Sequence, residues 1–221
     1  MRVVQGPQSN FRGSAVVKRY GCYLFLCFLM LGASLPGQAV ETEAAIFAGG
    51  CFWCTESDFD KVPGVVNTTS GYIGGHTPDP GYQAVSAGGT GHAEAVKIVF
   101  DPSTVSYAQL LEIFWRSIDP TVKDAQFCDR GSQYRTAIFY LSDSQKQQAE
   151  VSKMQLEKRK PFDAPIVTEI SQASTFYPAE AYHQDYHVRN PLRYRYYRYS
   201  CGRDARLRAL WGESQQNERQ D

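Results

Sequence analysis

"AAIFAGGCFWCTESDFDKVPG", Ala44 to Gly64, changes its hydrophobic pattern halfway along. Its first part is short and apolar and stops at Gly49-Gly50, as a buried strand does. In the second part Phe52, Phe59 and Val62 recur near helical spacing, and Pro63-Gly64 is a stop signal. Strand therefore passes into helix at Cys51. A thiol at a helix N-terminus meets partial positive charge and free N–H groups, which lower its pKa and favour the thiolate. A second thiol, Cys54, follows, with Phe52 and Trp53 between the two. Three readings fit: a dithiol redox pair, half of a metal site, or two buried small apolar side chains.

The segments downstream extend this strand-helix unit. "VVNTTSGYIGG" reads as a strand, and "HTPDPGYQAVSAGGTGH" as a Gly/Pro-rich loop. "AEAVKIVFDP" alternates like a half-buried strand and stops at Asp101-Pro102. "SYAQLLEIFWRSI" sets Leu110, Leu111, Phe114, Trp115 and Ile118 at helical spacing behind Ser106 as N-cap. "KDAQFCDRGSQYR" is loop-like, "TAIFYLS" a strand, "DSQKQQAEVSKMQLEKRK" a polar helix and "APIVTEIS" a further strand. "PAEAYHQDYHVRN" reads as a short helix, and "RYRYYRYS" as a surface strand or arm. The order β-α-β-β-α-β-α-β predicts an α/β (α+β) fold, a single two-layer domain. A mixed β-sheet with packed helices and a ferredoxin-like core is expected.

The totals narrow the function. With 221 residues the chain is long enough for one domain with a proper core. Lys+Arg and Asp+Glu are both 23, so no global basic field exists to hold nucleic acid. The N-terminus differs from the rest. Arg2, Arg12, Lys18 and Arg19 lead into the uncharged run Tyr20–Leu35, and Gly37 and Ala39 are small residues at a plausible cleavage point. Residues 1–39 read as a signal peptide, since about 16 apolar residues are short of the roughly 20 that span a bilayer. An uncleaved membrane anchor is the alternative. The expected localisation is exported, periplasmic or secreted. Outside this segment four cysteines remain: Cys51, Cys54, Cys128 and Cys201. Nothing else in the chain calls for a membrane, and one compact domain points to a monomer.

Several residues carry candidate chemistry beside a plainer reading. No metal is expected at Cys51 and Cys54, because no second Cys-x-x-Cys supplies the other half of a zinc site. Glu94 opens an apolar strand after a glycine-rich loop: a solvated edge residue, or an acid whose pKa a partly apolar site raises. Tyr82 and Tyr134 each stand beside a glycine turn and read first as core phenols, and Asp129 as a turn cap. His183 and His187 have the i, i+4 spacing of metal ligands, but Gln184 stands where a zinc protease has Glu, so packing and hydrogen bonding explain them better.

Taken together, "GCFW" (50–53), "GHAEAV" (91–96), "GSQYR" (131–135) and "YHQDY" (182–186) resemble, in order and spacing, the A-type peptide-methionine sulfoxide reductases. The resemblance covers roughly residues 44–190. It implies a catalytic domain over residues 40–200 and a C-terminal tail, 201–221, carrying a recycling cysteine. It implies Cys51 as nucleophile, Phe52 and Trp53 as walls for the substrate's S-methyl group, and Glu94 as proton donor to the sulfoxide oxygen. Tyr82 and Tyr134 would hydrogen-bond that oxygen, and Asp129 would hold the substrate backbone. Attack by the thiolate yields methionine and a cysteine sulfenic acid, which a second thiol converts to a disulfide. The family more often has glycine where this chain has Cys54. Cys54 is the first choice for the resolving thiol, ahead of Cys201 and then Cys128. No bound cofactor is implied. The expected partners are oxidised methionine-containing proteins, as the S-epimer, and an external thioredoxin or thioredoxin-like dithiol reductant. Two other functions are carried beside this one: a thiol-disulfide oxidoreductase using Cys51 and Cys54, and a binding domain stapled by two structural disulfides.

Overall fold

The computed structural model describes residues 41–212. The expected signal segment, residues 1–39, and the end of the expected tail, residues 213–221, lie outside the described residues. The chain runs through β1 (Glu43–Gly49), α1 (Phe52–Phe59), β2 (Val65–Ile73), α2 (Tyr82–Ser86), β3 (Ala93–Phe100) and α3 (Tyr107–Ser117). It continues through β4 (Ala125–Gln126), β5 (Asp129–Arg130), a 3-10 turn (Ser132–Tyr134), β6 (Thr136–Tyr140) and α4 (Asp143–Arg159). It ends with β7 (Glu169–Gln172), β8 (Tyr177–Pro178), α5 (Tyr186–Arg189), α6 (Pro191–Ser200) and α7 (Arg203–Trp211). No helix among the described residues is long and apolar enough to cross a membrane.

The expected mixed sheet is present, in the order β7-β6-β1-β3-β2-β8. Every pairing is antiparallel except β6 with β7. Its centre, β6-β1-β3-β2, with α1 and α3 as the connecting helices, is the ferredoxin-like core. Period-2 alternation sorts the strands into two faces. Ala45, Phe47, Val96, Ile98, Phe100 and Ile138 face the helices, while Ile46, Ala48, Ala93, Ala95, Ala137 and Phe139 form a second cluster on the opposite face. Glu94 belongs to the same alternation as Val96 and Ile98, so register alone aims a carboxyl into the helix layer.

α3 forms because its apolar side chains make one stripe and Ser106 with Gln109 closes a capping box at its start. Leu110, Leu111, Phe114 and Trp115 are buried from it, and Phe114 stacks on Phe47 of β1 at 4.9 Å. Full burial of each such side chain stabilises by about 1.5–3 kcal/mol. α4 is polar and contributes differently. Gln145 donates to the Ala44 carbonyl at 2.7 Å, clamping the helix to the first strand.

Five local expectations need correction. The Gly/Pro loop holds the short helix α2, because Gly81 leaves Tyr82 free to start a turn anchored by Glu180. The loop before β6 holds the β4–β5 hairpin, pinned where the buried Gln126 side chain exchanges hydrogen bonds with the Asp119 backbone. The strand read from "APIVTEIS" starts only at Glu169. The helix read around "YHQDYH" starts only at Tyr186, behind Asp185 at φ +53°. "RYRYYRYS" is the helix α6, neither strand nor arm: Pro191 sits in its first turn, and Tyr194, Tyr197 and Cys201 fall one helical turn apart on the inward face.

Residues 201–212 are correspondingly not a loose tail. α7 buries Leu207, Leu210 and Trp211 against Leu156, Phe162 and Phe127. Trp211 donates to the Ile118 carbonyl at 3.2 Å, and Arg206 pairs with Asp119 at 2.7 Å. Arg203, 1% exposed, donates to the carbonyls of Gly49 and Ser117 and lies 3.8 Å from Asp58. One buried guanidinium thus ties the last helix to the end of β1, one residue short of the Gly50-Cys51 junction.

Candidate active site

The junction of β1 and α1 requires glycine. Gly50 has φ +85°, and a Cβ there would sit 2.4 Å from Cβ of Gln126. Past it, Cys51 occupies the N-cap of α1 without using its side chain as a cap. The Phe52 N–H is instead taken by Glu94 Oε2 at 3.0 Å. A helix start and a carboxyl from the neighbouring strand therefore meet beside one sulfur.

A small recess of about 80 Å³ opens there, lined by Cys51, Phe52, Trp53, Tyr82, Glu94, Asp129, Tyr134 and Tyr197. Every residue expected as catalytic or substrate-binding is among them. Cys51 is 6% and Glu94 2% exposed. Burial pushes the Glu94 pKa up to about 8, against the pull of the Phe52 N–H, with Asp129 and Cys54 adding to the rise. At neutral pH this carboxyl holds its proton. Burial and then the Glu94 charge raise the Tyr82 phenol to about 12, and the same two causes raise Tyr134, so both stay protonated donors. Gln133 donates to the Ser86 carbonyl at 3.0 Å, holding the Tyr134 turn against α2, which starts at Tyr82.

The thiols depart from expectation. A lowered pKa was expected for Cys51 at its helix start. Burial instead pushes the thiol up, and the neighbouring Cys54 and Glu94 add to it, with Tyr197 alone opposing. The reason is burial of the sulfur, with the first helical N–H spent on Glu94. Cys54 is lowered, first by its hydrogen bond with Cys51 and then, against burial, by Arg203 and Arg198. Within the buried pair Cys54 is the side that favours the thiolate. Both are free thiols, while Cys128 and Cys201 form a disulfide. Among the described residues there is therefore one disulfide and a reduced pair, not two staples.

An aromatic frame orients the wall. The Trp53 ring stacks on Tyr186 at 3.7 Å and 6°, and its indole N–H donates to His183 Nδ1 at 3.1 Å. His183 therefore carries its proton on Nε2, and burial lowers its pKa. Its ring also packs on Phe52 at 5.0 Å and Tyr82 at 4.4 Å. The packing role read for His183 holds, and it is a positioning role. Glu180 accepts from the Tyr72 hydroxyl and the Tyr82 N–H at 2.9 and 2.8 Å. Tyr197 was missed. Its hydroxyl donates to Asp129 Oδ2 at 2.6 Å and lies within hydrogen-bonding reach of Cys51. The signal was the spacing of Tyr194, Tyr197 and Cys201, which is helical.

A buried thiol, a protonated acid and two phenol donors around an apolar wall suit attack on a centre whose oxygen must be protonated to leave. The comparisons agree. The family model for peptide methionine sulfoxide reductase matches residues 43–215. The chain is 50% identical over 191 residues to peptide methionine sulfoxide reductase MsrA 2 of Rhizobium meliloti, covering 86% of this chain and 92% of that protein. It is 51% identical over 175 residues to MsrA of Bacillus licheniformis, covering 79% and 97%. Among solved structures, methionine sulfoxide reductase A of Corynebacterium diphtheriae aligns with TM-score 0.63 at 36% identity, over 72% of this chain and 79% of that one. Reduced Mxr1 of Saccharomyces cerevisiae aligns with TM-score 0.65 at 31% identity, over 68% and 87%. This chain belongs to the peptide methionine sulfoxide reductase family.

Proposed function

We propose that this protein reduces methionine-S-sulfoxide, free or in proteins, with Cys51 as nucleophile and Glu94 as acid. The observation that carries these roles is the shared helix start, where a buried carboxyl that keeps its proton at neutral pH bonds the residue next to the thiol. Phe52 and Trp53 receive the S-methyl group. Tyr82 and Tyr134 hydrogen-bond the sulfoxide oxygen, and Glu94 protonates it as the Cys51 sulfur attacks. As the Cys51 sulfur attacks, its proton replaces on Glu94 the one given to the oxygen, while the Cys54 thiol, beside two guanidinium groups, is the side of the pair that favours the thiolate. The thiol and the sulfoxide become a sulfenic acid and the thioether. Asp129, fixed by Tyr197, holds the substrate backbone.

Cys54 then resolves the sulfenic acid, releasing water and forming a Cys51–Cys54 disulfide. The thiols of Cys128 and Cys201, at the same rim as Asp129, pass electrons to it and themselves become the disulfide that an external thioredoxin-like dithiol reduces. The basic lead and apolar run of residues 1–39 support work outside the cytoplasm.

The deciding experiment is turnover of separated S- and R-epimers of an N-blocked methionine sulfoxide with dithiothreitol, wild type beside Cys51→Ser. Reduction of the S-epimer alone, lost in the variant, is expected. Reduction of a protein disulfide with neither epimer consumed would hand the site to a thiol-disulfide oxidoreductase. Peptide mapping after one turnover tests the resolving step. A Cys51–Cys201 bond with Cys54 free would remove Cys54 from it.

A further inference from the structure

Among the described residues one group of three metal-ligating side chains is drawn together, and it lies at the rim, not at Cys51. The sulfurs of Cys128 and Cys201 and a carboxylate oxygen of Asp129 all lie within 4.8 Å of one another. In the structure the sulfurs are joined, across 73 residues of chain. An external dithiol that reduces this bond leaves two thiols there and becomes a disulfide itself.

We propose that the reduced rim triad, Cys128, Cys201 and Asp129, is a binding site for a thiophilic divalent cation of the zinc type. The proposal goes beyond the catalytic reading and does not depend on it. Two thiolates and one carboxylate are a zinc donor set, and three protein ligands leave the fourth tetrahedral position to water. The carboxyl is already oriented for the task. Oδ2 accepts from the Tyr197 hydroxyl at 2.6 Å, and Oδ1 faces Cys128 Sγ at 3.7 Å. A hydrogen bond on one oxygen that leaves the other directed at the ion is how an outer partner fixes a ligating carboxylate.

Geometry and charge allow it. Zinc–sulfur bonds of about 2.3 Å at a tetrahedral angle set two sulfurs about 3.8 Å apart. The Cα atoms are 4.9 Å apart, so side-chain rotation supplies that spacing once the bond is reduced. Cys128 is exposed and the other two ligands are partly so, which gives an ion a path. Three anionic ligands, a divalent ion and the nearby Arg203 guanidinium sum to zero charge. Binding converts two thiols and an aqueous ion into a dithiolate complex and two released protons. A bound ion holds both rim thiols and Asp129 at once.

The test reads metal, not activity. The full chain is reduced with a phosphine, freed of it without oxygen, counted for thiols and titrated with Co²⁺ and then Zn²⁺. One ion per chain is expected, with a thiolate-to-cobalt charge-transfer band in the near ultraviolet and proton release. Cys128→Ser and Cys201→Ser should each weaken binding by about tenfold or more and reduce the band, and Asp129→Asn should weaken it less. Cys54→Ser should bind as wild type does, and protein with the Cys128–Cys201 bond intact should not bind. The inner pair is the competing dithiol. Binding that survives Cys128→Ser but is lost in Cys54→Ser overturns the proposal, as does a fully reduced chain that takes up no ion.

Discussion

The recess has two sides built by different means. The floor is built on one strand-to-helix junction, β1 into α1, and the neighbouring strand β3. One glycine turn, one strand register and one hydrogen bond from the Phe52 N–H to Glu94 place sulfur, acid and aromatic wall together. The rim is assembled from pieces far apart in sequence. The Asp129 hairpin is held by a disulfide to the end of α6, by the Tyr197 hydroxyl and by the buried Arg203, whose guanidinium lies over the Phe127 ring. The thiols differ in the same way: those of the floor are buried and reduced, while those of the rim are joined where a partner can reach Cys128. On the proposed function, chemistry that needs a fixed proton falls to the floor, and chemistry that needs an external reductant to the rim.

Changes to the floor should break turnover and spare the fold. Cys51→Ser is expected to lower kcat/KM by at least about a thousandfold, since the bond-forming atom is lost, with the unfolding transition nearly unmoved. Glu94→Gln should lower it by about a hundredfold to ten-thousandfold, the range of a general acid. In the wild type the acid works while Glu94 is protonated, so kcat/KM should fall as pH rises through about 8, and the variant should lack that limb. Stability carries the same signature. The Glu94 pKa is raised on folding from about 4.5 to about 8, so the native state binds the extra proton. Its contribution is fully present below about 4.5 and is lost as pH climbs through 8, by roughly 1.4 kcal/mol per unit. Glu56, buried and raised by that burial to about 7, adds a loss of the same sign. Denaturant melts from pH 5 to 8 should show this slope, and Glu94→Gln should flatten it.

Changes to the rim should do the reverse. Arg203→Met leaves the carbonyls of Gly49 and Ser117 without their buried donor. A loss of about 2–4 kcal/mol of stability is expected from urea denaturation, with residual turnover in the fraction that stays folded. A variant as stable as wild type but inactive would mean that Arg203 acts on the thiols and not on the packing.

The division between floor and rim is also the division between what could and could not be read in the sequence. The strand-to-helix switch at Cys51, the alternation that turns Glu94 inward and the Ser106 cap of α3 are short-range patterns, and each survives in the fold. The rim depends on long-range contacts. No spacing rule connects Cys128 to Cys201 or aims Tyr197 at Asp129, and an Arg/Tyr run with few aliphatic residues does not look like a helix that buries one face. Its Tyr194, Tyr197, Cys201 periodicity was present but lay among exposed Leu192, Tyr196 and Tyr199, which blur it. The pKa of Cys51 was misjudged for a related reason. The helix start was legible, but the burial that raises the thiol was not, nor the carboxyl 42 residues away that takes the first N–H.

The smallest expected effect tests whether the two sides are coupled. Tyr197→Phe keeps the ring that meets Trp53 edge-on at 5.8 Å and removes only the hydroxyl held by Asp129. A hydrogen bond to a charged group contributes about 1.5–3 kcal/mol, and at a partly exposed site the lower end applies. If the rim only positions substrate, KM should rise by about tenfold with kcat nearly unchanged. If Tyr197 also steadies the Cys51 sulfur within its reach, kcat should fall as well, and the alkylation rate of the free enzyme by iodoacetamide should drop with it. Those two readouts moving together would show that the rim acts on the nucleophile directly. KM moving alone would leave the floor chemically self-sufficient.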